Sequence, residues 1–386
     1  MVYLKHQRKY KQRALALAST DSLELPEAGI LSAIQIDFEQ VNATGLIALI
    51  KKRCIDHITS LEVTDGGTKK MFSLTGQETK ALDFYTLGEV MPETAILYDS
   101  NYQRSTVIIP FGEYIGDPKH GLDLAAFDQV NLEITNDFTT SYVAAGAIKA
   151  DVKLLTLEDL AAKPAGYYKS YEWKSESPSA AAQYVNHKVP TTDKIRRLMC
   201  QLDPTVSTAT AKPENMQSDS NNIKLYFQER TQVVLDHRPK DLMWENAVVY
   251  GKPKTFARYP QSVTVYNDSA LARITNMPFG DLNQSGSAST PTAQPRSMEE
   301  NERFFVLDVV TAGAASNNMI DAMAVGEGYY GTMVLYDSMS PDEAMFLDPS
   351  KSGSGKGPVE VEWYAGVAAT HKFRTFLTVP QKQGQA

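Results

Sequence analysis

Ile34-Gln35-Ile36-Asp37-Phe38-Glu39 alternates apolar and polar residues without a break. Successive side chains of an extended chain point to opposite faces, so Ile34, Ile36 and Phe38 share one face and the polar residues share the other. Such a run is a strand with one side against a core. Period-two or densely apolar runs recur at 106–110, 130–134, 148–154, 223–227, 263–266, 304–310, 359–363 and 373–379. Turn clusters such as Asp65-Gly66-Gly67, Gly116-Asp117-Pro118 and Asn276-Met277-Pro278 separate many of them. Helical patterns are few and short: 44–54, 77–87, 156–162 and 317–323. A further helix is expected over 2–18, where good helix formers run on until Pro26 and Gly29. Many strands with few short helices predict an all-β chain of antiparallel sandwiches. Strands do not alternate with long helices, which disfavours a doubly wound nucleotide fold.

The order of the runs repeats. Leu97-Tyr98-Asp99-Ser100 returns as Leu335-Tyr336-Asp337-Ser338, each time closing an apolar run. Val130-Asn131-Leu132-Glu133-Ile134 follows the first copy, as Val359-Glu360-Val361-Glu362-Trp363 follows the second. Val143-Ala144-Ala145 and Val367-Ala368-Ala369 then each lead into a strand. Upstream, Leu61-Glu62-Val63 opens a stretch ending at Leu87-Gly88, and Leu225-Tyr226-Phe227 opens one ending at Tyr250-Gly251. A four-residue identity alone is weak; matches in one order point to tandem duplication. The expected organisation is a basic N-terminal arm or helix over 1–24, sandwiches over 25–165 and 166–380, and a tail over 381–386. The stretches 203–222, 281–297 and 349–358, rich in small and polar residues, read as loops of the second copy.

Composition narrows the class. With 386 residues, 42% of them hydrophobic, the chain is long enough for two cores and too apolar to be disordered throughout. No run approaches the roughly 18 apolar residues that span a bilayer, and no secretory signal is legible at the start, so a cytosolic site of synthesis and assembly is expected. Cys54 and Cys200 cannot make a disulfide scaffold and read as reduced, buried thiols. The net charge of −8 argues against a body that binds nucleic acid generally. Yet Lys5, Arg8, Lys9, Lys11 and Arg13 precede the first acidic residue, Asp21. Such a segment can touch phosphate on nucleic acid or on lipid headgroups; the plainer alternative is a frayed, solvated terminus.

Motifs for chemistry fail on inspection. Gly353-Ser354-Gly355-Lys356-Gly357 has Ser350 where a phosphate-binding loop needs its first glycine and Gly357 where it needs a hydroxyl. The same stretch has the Gly-x-Ser-x-Gly spacing but lacks the strand and helix of a nucleophile elbow. The 6 histidines, His6, His57, His120, His187, His237 and His371, lie too far apart in sequence for a local metal pair. His237-Arg238-Pro239-Lys240-Asp241 lacks the companions of a kinase catalytic loop. Glu360 and Glu362 fit the polar face of a strand. The sequence implies no catalytic residue, metal or cofactor.

Two tandem antiparallel sandwiches behind a basic N-terminal arm resemble the double jelly-roll major capsid proteins of tailless icosahedral viruses, including phages with an internal membrane. The resemblance covers Ile30 to Pro380 as architecture, with Met1 to Thr20 as the arm, and rests on the order and kind of elements. It implies a homotrimeric, pseudo-hexagonal capsomer whose sandwiches stand roughly perpendicular to an icosahedral shell. It further implies self-association with neighbouring capsomers, minor capsid or vertex proteins as partners, and a place in the virion after assembly in the host cytoplasm. The arm with Lys5, Arg8, Lys9, Lys11 and Arg13 would face an internal membrane or the genome, and the second-copy loops would face outward. A competing class is a carbohydrate-binding, adhesin or phage receptor-binding module, for which Trp173, Trp244 and Trp363 are too scattered to form a sugar platform. A β-sandwich hydrolase or isomerase using His57, His237 or His371 is a third.

Overall fold

A computed structural model describes residues 3–43, 53–89, 91, 93–95, 102–140, 143–160, 163–180, 182–204, 220–228, 230–252, 254–260, 304–310, 319–325, 331–340, 342–350, 358–365 and 371–384. The first half supplies β1 (Tyr3–Ala14), β2 (Thr20–Glu24), β3 (Ile30–Asn42), β4 (Ile58–Asp65), β5 (Lys69–Leu74), helix α1 (Gly76–Leu87), β6 (Glu93–Ala95), β7 (Tyr102–Pro110), β8 (Leu122–Asp123), β9 (Val130–Asn136) and β10 (Val143–Glu158). The second half supplies β11 (Gly166–Glu176), β12 (Gln183–Lys188), β13 (Arg197–Pro204), β14 (Ser220–Phe227), β15 (Gln232–His237) and helix α2 (Pro239–Tyr250). It continues with β16 (Lys254–Pro260), β17 (Phe304–Val310), β18 (Met319–Val325), β19 (Thr332–Asp337), β20 (Val359–Ala365) and β21 (His371–Lys382).

The alternating run Ile34–Glu39 lies within β3. Ile34, Ile36 and Phe38 are buried, packed with Val107 and Ile109 of β7 and Val152 and Leu154 of β10. The opposite sheet contributes Leu61 and Val63 of β4 and Leu132 and Ile134 of β9. Each such fully buried side chain stabilises by about 1.5–3 kcal/mol. A second core gathers Leu198, Cys200, Ile223, Leu225, Val361, Trp363, Phe373 and Leu377. Cys54 and Cys200 are both buried, and desolvation pushes both thiols well up.

Topology repeats with the sequence. The order β1-β10-β3-β7 returns as β11-β21-β13-β19, and β2-β9-β4-β5 returns as β12-β20-β14-β15. A 12-residue helix follows the β4–β5 hairpin and another follows the β14–β15 hairpin, ending at Gly88 and Gly251 respectively. Asp123 caps a short 3-10 turn through the Ala125 N–H, as Asp342 caps one through the Ala344 N–H. Bulges match too: β1 skips Lys9 where β11 skips Trp173, and β5 skips Met71 where β15 skips Val234. Between α2 and β19 the second half adds the sheet β16-β18-β17, while only short β6 is described between α1 and β7.

Four expectations for helices need correction or restriction. Residues 3–14 of the expected N-terminal helix are β1, paired antiparallel with β10, and Thr20–Glu24 is β2, paired with β9. A short helix of good formers is marginal on its own, whereas pairing along β10 satisfies the backbone groups on one side of the stretch. The residues expected as an arm therefore hold the positions in the first sandwich that β11 and β12 hold in the second. The helix expected over 156–162 begins inside β10, where Thr156 and Leu157 pair with Leu31 and Ile30. The one expected over 317–323 overlaps β18, held between β16 and β17. Residues 44–52 of the expected 44–54 helix lie outside the described residues; Cys54 opens a 3-10 turn, Cys54–His57. The helix over 77–87 is α1, whose start is fixed by a reciprocal cap. There the Glu78 N–H donates to Thr75 Oγ1 (3.2 Å) and the Thr75 N–H to Glu78 Oε2 (2.8 Å).

The strand expected at 263–266, the first Leu-Tyr-Asp-Ser copy at 97–100, the loop 281–297 and most of the loops 203–222 and 349–358 lie outside the described residues. The two sandwiches are joined edge to edge. β11 pairs in parallel with β5 at Ser170–Phe72 and Tyr171–Ser73. This makes one sheet of order β19-β13-β21-β11-β5-β4-β9-β2 running through both halves.

Candidate assembly surfaces

Among the described residues β1 ends its sheet, so its five cations stand on an edge strand and not on a loose arm. All five are exposed. Lys5 lies 3.6 Å from Glu158, Arg8 lies 3.8 Å from Asp151, and the Lys9 ammonium sits 5.9 Å from the Tyr10 ring centre. Arg13 stands opposite Ala150, and Lys11 falls in the irregular stretch between Tyr10 and Arg13. There Gln12 adopts a left-handed backbone (φ 45°) and its N–H donates to the Asp151 carboxylate. Exposed ion pairs of this kind contribute about 0–1 kcal/mol each, so most of this charge remains available to a partner. Lysine and arginine along a sheet edge also oppose indiscriminate strand pairing.

Beside β1, the polar side of β3, β7 and β10 forms a groove of about 430 Å³ lined by Arg8, Asp37, Arg104, Thr106, Asp151 and Lys153, among others. Lys153 Nζ donates to Asp37 Oδ2 (2.6 Å), while Thr106 Oγ1 (2.7 Å) and Gln35 Nε2 (3.0 Å) donate to Oδ1. Partial burial pushes the Asp37 carboxyl up, but these three donors outweigh it and hold the group below the ordinary value. Arg104 pairs with Glu39 at 2.7 Å on the same side.

Where the halves meet, α1 lies against the second sandwich. The Tyr85 hydroxyl donates to the Thr332 carbonyl (2.7 Å), and the Tyr85 ring meets Tyr250 edge-on at 5.2 Å. Arg197 reaches both Thr86 Oγ1 (2.8 Å) and Asp337 Oδ2 (2.9 Å), and the Tyr250 hydroxyl also donates to Asp337 Oδ2 (2.9 Å). Arg374 lies 3.4 Å from Glu78 and 3.5 Å from Glu172. Burial and the neighbouring Glu78 charge together raise the Glu172 carboxyl to about 7. Nearby, Arg196 pairs with Glu113 (3.1 Å) and lies over the Tyr168 ring, on which His120 stacks.

No protein-family model matches the chain, and no curated protein matches it. Among solved structures it is similar to one titled as the crystal structure of the STIV MCP, with a TM-score of 0.54 at 9% identity over 99% of this chain and 97% of that one. It is likewise similar to a chain in the atomic structure of Sulfolobus Turreted Icosahedral Virus, with a TM-score of 0.54 at 8% identity over 98% and 91%. The fold is the double jelly roll. The major capsid protein P2 of bacteriophage PM2 aligns over all of both chains, with a TM-score of 0.49 at 8% identity.

Within the double jelly roll, the side chains singled out from sequence serve several places. Trp363 is buried and stacked on Phe373 (5.2 Å), Trp173 is exposed on β11, and Trp244 is exposed on α2. His57 Nδ1 is 2.7 Å from Asp137 in the first half, whereas His237 at the end of β15 is 3.7 Å from Glu245. Among the described residues no three His, Cys, Asp or Glu side chains converge as a metal site. Glu360 and Glu362, read as a solvated face, are instead largely covered and clamped by Arg230 at 2.7 and 2.9 Å. That clamp is not legible in any local stretch of sequence, because Arg230 lies 130 residues from Glu360. The second Leu-Tyr-Asp-Ser copy also acquires a role. Asp337 anchors Arg197, the Tyr336 hydroxyl donates to the Met345 carbonyl (3.0 Å), and the Ser338 N–H donates to the Arg196 carbonyl (2.8 Å).

Proposed function

We propose that this protein is the coat subunit of an icosahedral virus shell, with three chains forming one pseudo-hexagonal capsomer and no catalytic role. The observation that carries the reading is the repeated topology: two like sandwiches per chain give a six-sided outline from three chains. The full-length likeness to a chain of an icosahedral virus supports it. On this reading the two units run from β1 to β10 and from β11 to β21, with 25–165 and 166–380 forming the bulk of each. The shell places the protein in the virion, assembled in the host cytoplasm, next to neighbouring capsomers and minor capsid or vertex proteins. The exposed row Lys5, Arg8, Lys9, Lys11 and Arg13 supports a contact with an internal membrane or the genome at the inner surface.

Electron microscopy with sedimentation of the purified chain tests the shell role. Trimers of hexagonal outline or closed particles are expected, and a stable monomer under assembly conditions overturns the reading. For the basic strand, replacing all five cations by Gln should abolish flotation with anionic liposomes or retention of DNA. Unchanged binding to both, or no binding by the parent chain, refutes that contact.

A further inference from the structure

The junction inside the chain has a matching but open pair of surfaces at the chain's two far sides. Counting back from the closing glycines Gly88 and Gly251, Asp83 corresponds to Asn246, Tyr85 to Val248, and Thr86 to Val249. Hydrogen bonding verifies this register. Asp83 Oδ2 accepts from the Ile108 N–H of β7 (2.8 Å), and Asn246 Oδ1 accepts from the Val334 N–H of β19 (2.6 Å). Tyr85 and Thr86 are two of the residues through which α1 reaches the second sandwich, and Tyr85 is only 3% exposed. Their counterparts are bare: Val248 is 84% exposed and Val249 57%, with Trp244 beside them at 54%. The adjoining strand shows the same contrast. β5 is paired with β11 through Phe72 and Ser73, whereas β15 ends its sheet among the described residues, with Val233 and Val234 exposed. Counted from the matched bulges, Leu235 and Asp236 of β15 stand where Phe72 and Ser73 stand in β5.

The receiving side is duplicated as well. With Ile108 matched to Val334, the ladders align Thr106 with Thr332, Asp37 with Gln201, and Asp151 with Arg374. Thr332 and Arg374 are the groups that Tyr85 and Glu78 of α1 touch. Their counterparts Thr106 and Asp151 line the open groove with Arg8, Asp37 and Lys153. Ser170 and Tyr171, the β11 residues that take β5, precede the skipped Trp173 as His6 and Gln7 precede the skipped Lys9 in β1. Among the described residues β1, like β15, ends its sheet.

We infer that α2 and β15 of one chain dock on the groove and β1 edge of a second copy, resting on the trimeric coat reading above. β15 adds in parallel to β1 near His6 and Gln7, and Val248 and Val249 lie over the groove around Thr106. The contact is head to tail, so three chains close a ring of six sandwiches in which three junctions lie within chains and three between them. The two kinds of junction differ in composition. Met199, Val334 and Phe376 of the second sandwich join the first core at the internal junction. At the matching positions of the first sandwich stand Gln35, Ile108 and Lys153, of which Lys153 lines the groove. The contact between chains is therefore more polar and wetter, and weakens with salt more than the internal one.

Cross-linking and sedimentation of full-length chains test the inference. A Val248→Cys chain is mixed with a Thr106→Cys chain, so any disulfide between those positions is intermolecular. A cross-linked dimer on oxidation is expected, absent when either partner is unmodified. Val248→Asp, on a side chain exposed in the single chain, should weaken trimer formation by about tenfold or more while the monomer's melting temperature stays unchanged. Trimers that persist in Val248→Asp and give no cross-link overturn this docking mode and leave the coat reading standing. A parent chain that stays monomeric overturns both.

Discussion

Asp337→Ala should be among the most destabilising single changes in the second sandwich. Asp337 and Arg197 are each about 95% buried, and Asp337 Oδ2 takes hydrogen bonds from Arg197 and from the Tyr250 hydroxyl. Deleting the carboxylate leaves a guanidinium buried against Thr86 with its charge uncompensated, at a cost of about 3–5 kcal/mol. Tyr250→Phe removes one bond to a charged acceptor and should cost about 1.5–3 kcal/mol. Arg197→Met combined with Asp337→Leu removes both charges, so its cost should fall well below the sum of the two single changes. Urea unfolding followed by tryptophan fluorescence suits the test, because Trp173, Trp244 and Trp363 all lie in the second half and Trp363 is buried. With an m-value of about 2 kcal/mol per molar urea, Asp337→Ala should lower the midpoint by about 2 M. A shift smaller than that of Tyr250→Phe, or a double variant as costly as the sum of the singles, refutes the reasoning.

Gly76→Ala should lower stability although alanine is the better helix former, because its Cβ would lie 2.6 Å from the Ile55 carbonyl oxygen and 2.9 Å from Ile58 Cβ. A loss of about 1–3 kcal/mol in urea unfolding is expected, and a variant as stable as the parent contradicts the close approach. Glu172 predicts a pH dependence. Its carboxyl is raised from 4.5 to about 7, so the folded state holds a proton that the unfolded chain releases, and stability falls as pH rises through that window. Glu172→Gln should flatten the drop in melting temperature between pH 5 and pH 8, measured by calorimetry; parallel curves for the two proteins exclude this origin.

Strands with one buried face were legible from the start. The alternation Ile34 to Glu39 survives as β3, and the run 304–310 matches the bounds of β17. What stayed hidden was structure whose cause lies far along the chain. β1 is rich in Lys, Arg and Gln, shows no alternation, and buries no side chain fully. Its backbone is fixed by β10, more than 130 residues later, which no local window contains. β18, Met-Ile-Asp-Ala-Met-Ala-Val, has helix-forming residues and becomes a strand because β16 and β17 pair with it on both sides. The candidate site divides the same way. The five cations could be read as a charged segment, but not that they form a sheet edge or that Arg8 faces Asp151. The Leu-Tyr-Asp-Ser motif could be read as a repeat, but the partner of Asp337 lies 140 residues upstream.

Matched positions also separate what a sandwich needs for itself from what it needs for its neighbour. Asp83 and Asn246 each accept one backbone N–H from the strand they cap, inside their own copy. Burial pushes the Asp83 carboxyl well up, against the pull of the Ile108 amide and of Lys80. A carboxyl oxygen and an amide oxygen can each accept one N–H, and either residue fills this position. Tyr85 and Val248 share no such internal duty. The one reaches the second sandwich with a hydroxyl, and the other stands exposed. Arg374 and Asp151 even differ in sign. Chemistry has thus been kept at positions that close a copy on itself and has diverged at positions that face outward. That is the pattern expected where one outward face is permanently joined within the chain and the other must find its partner on another molecule.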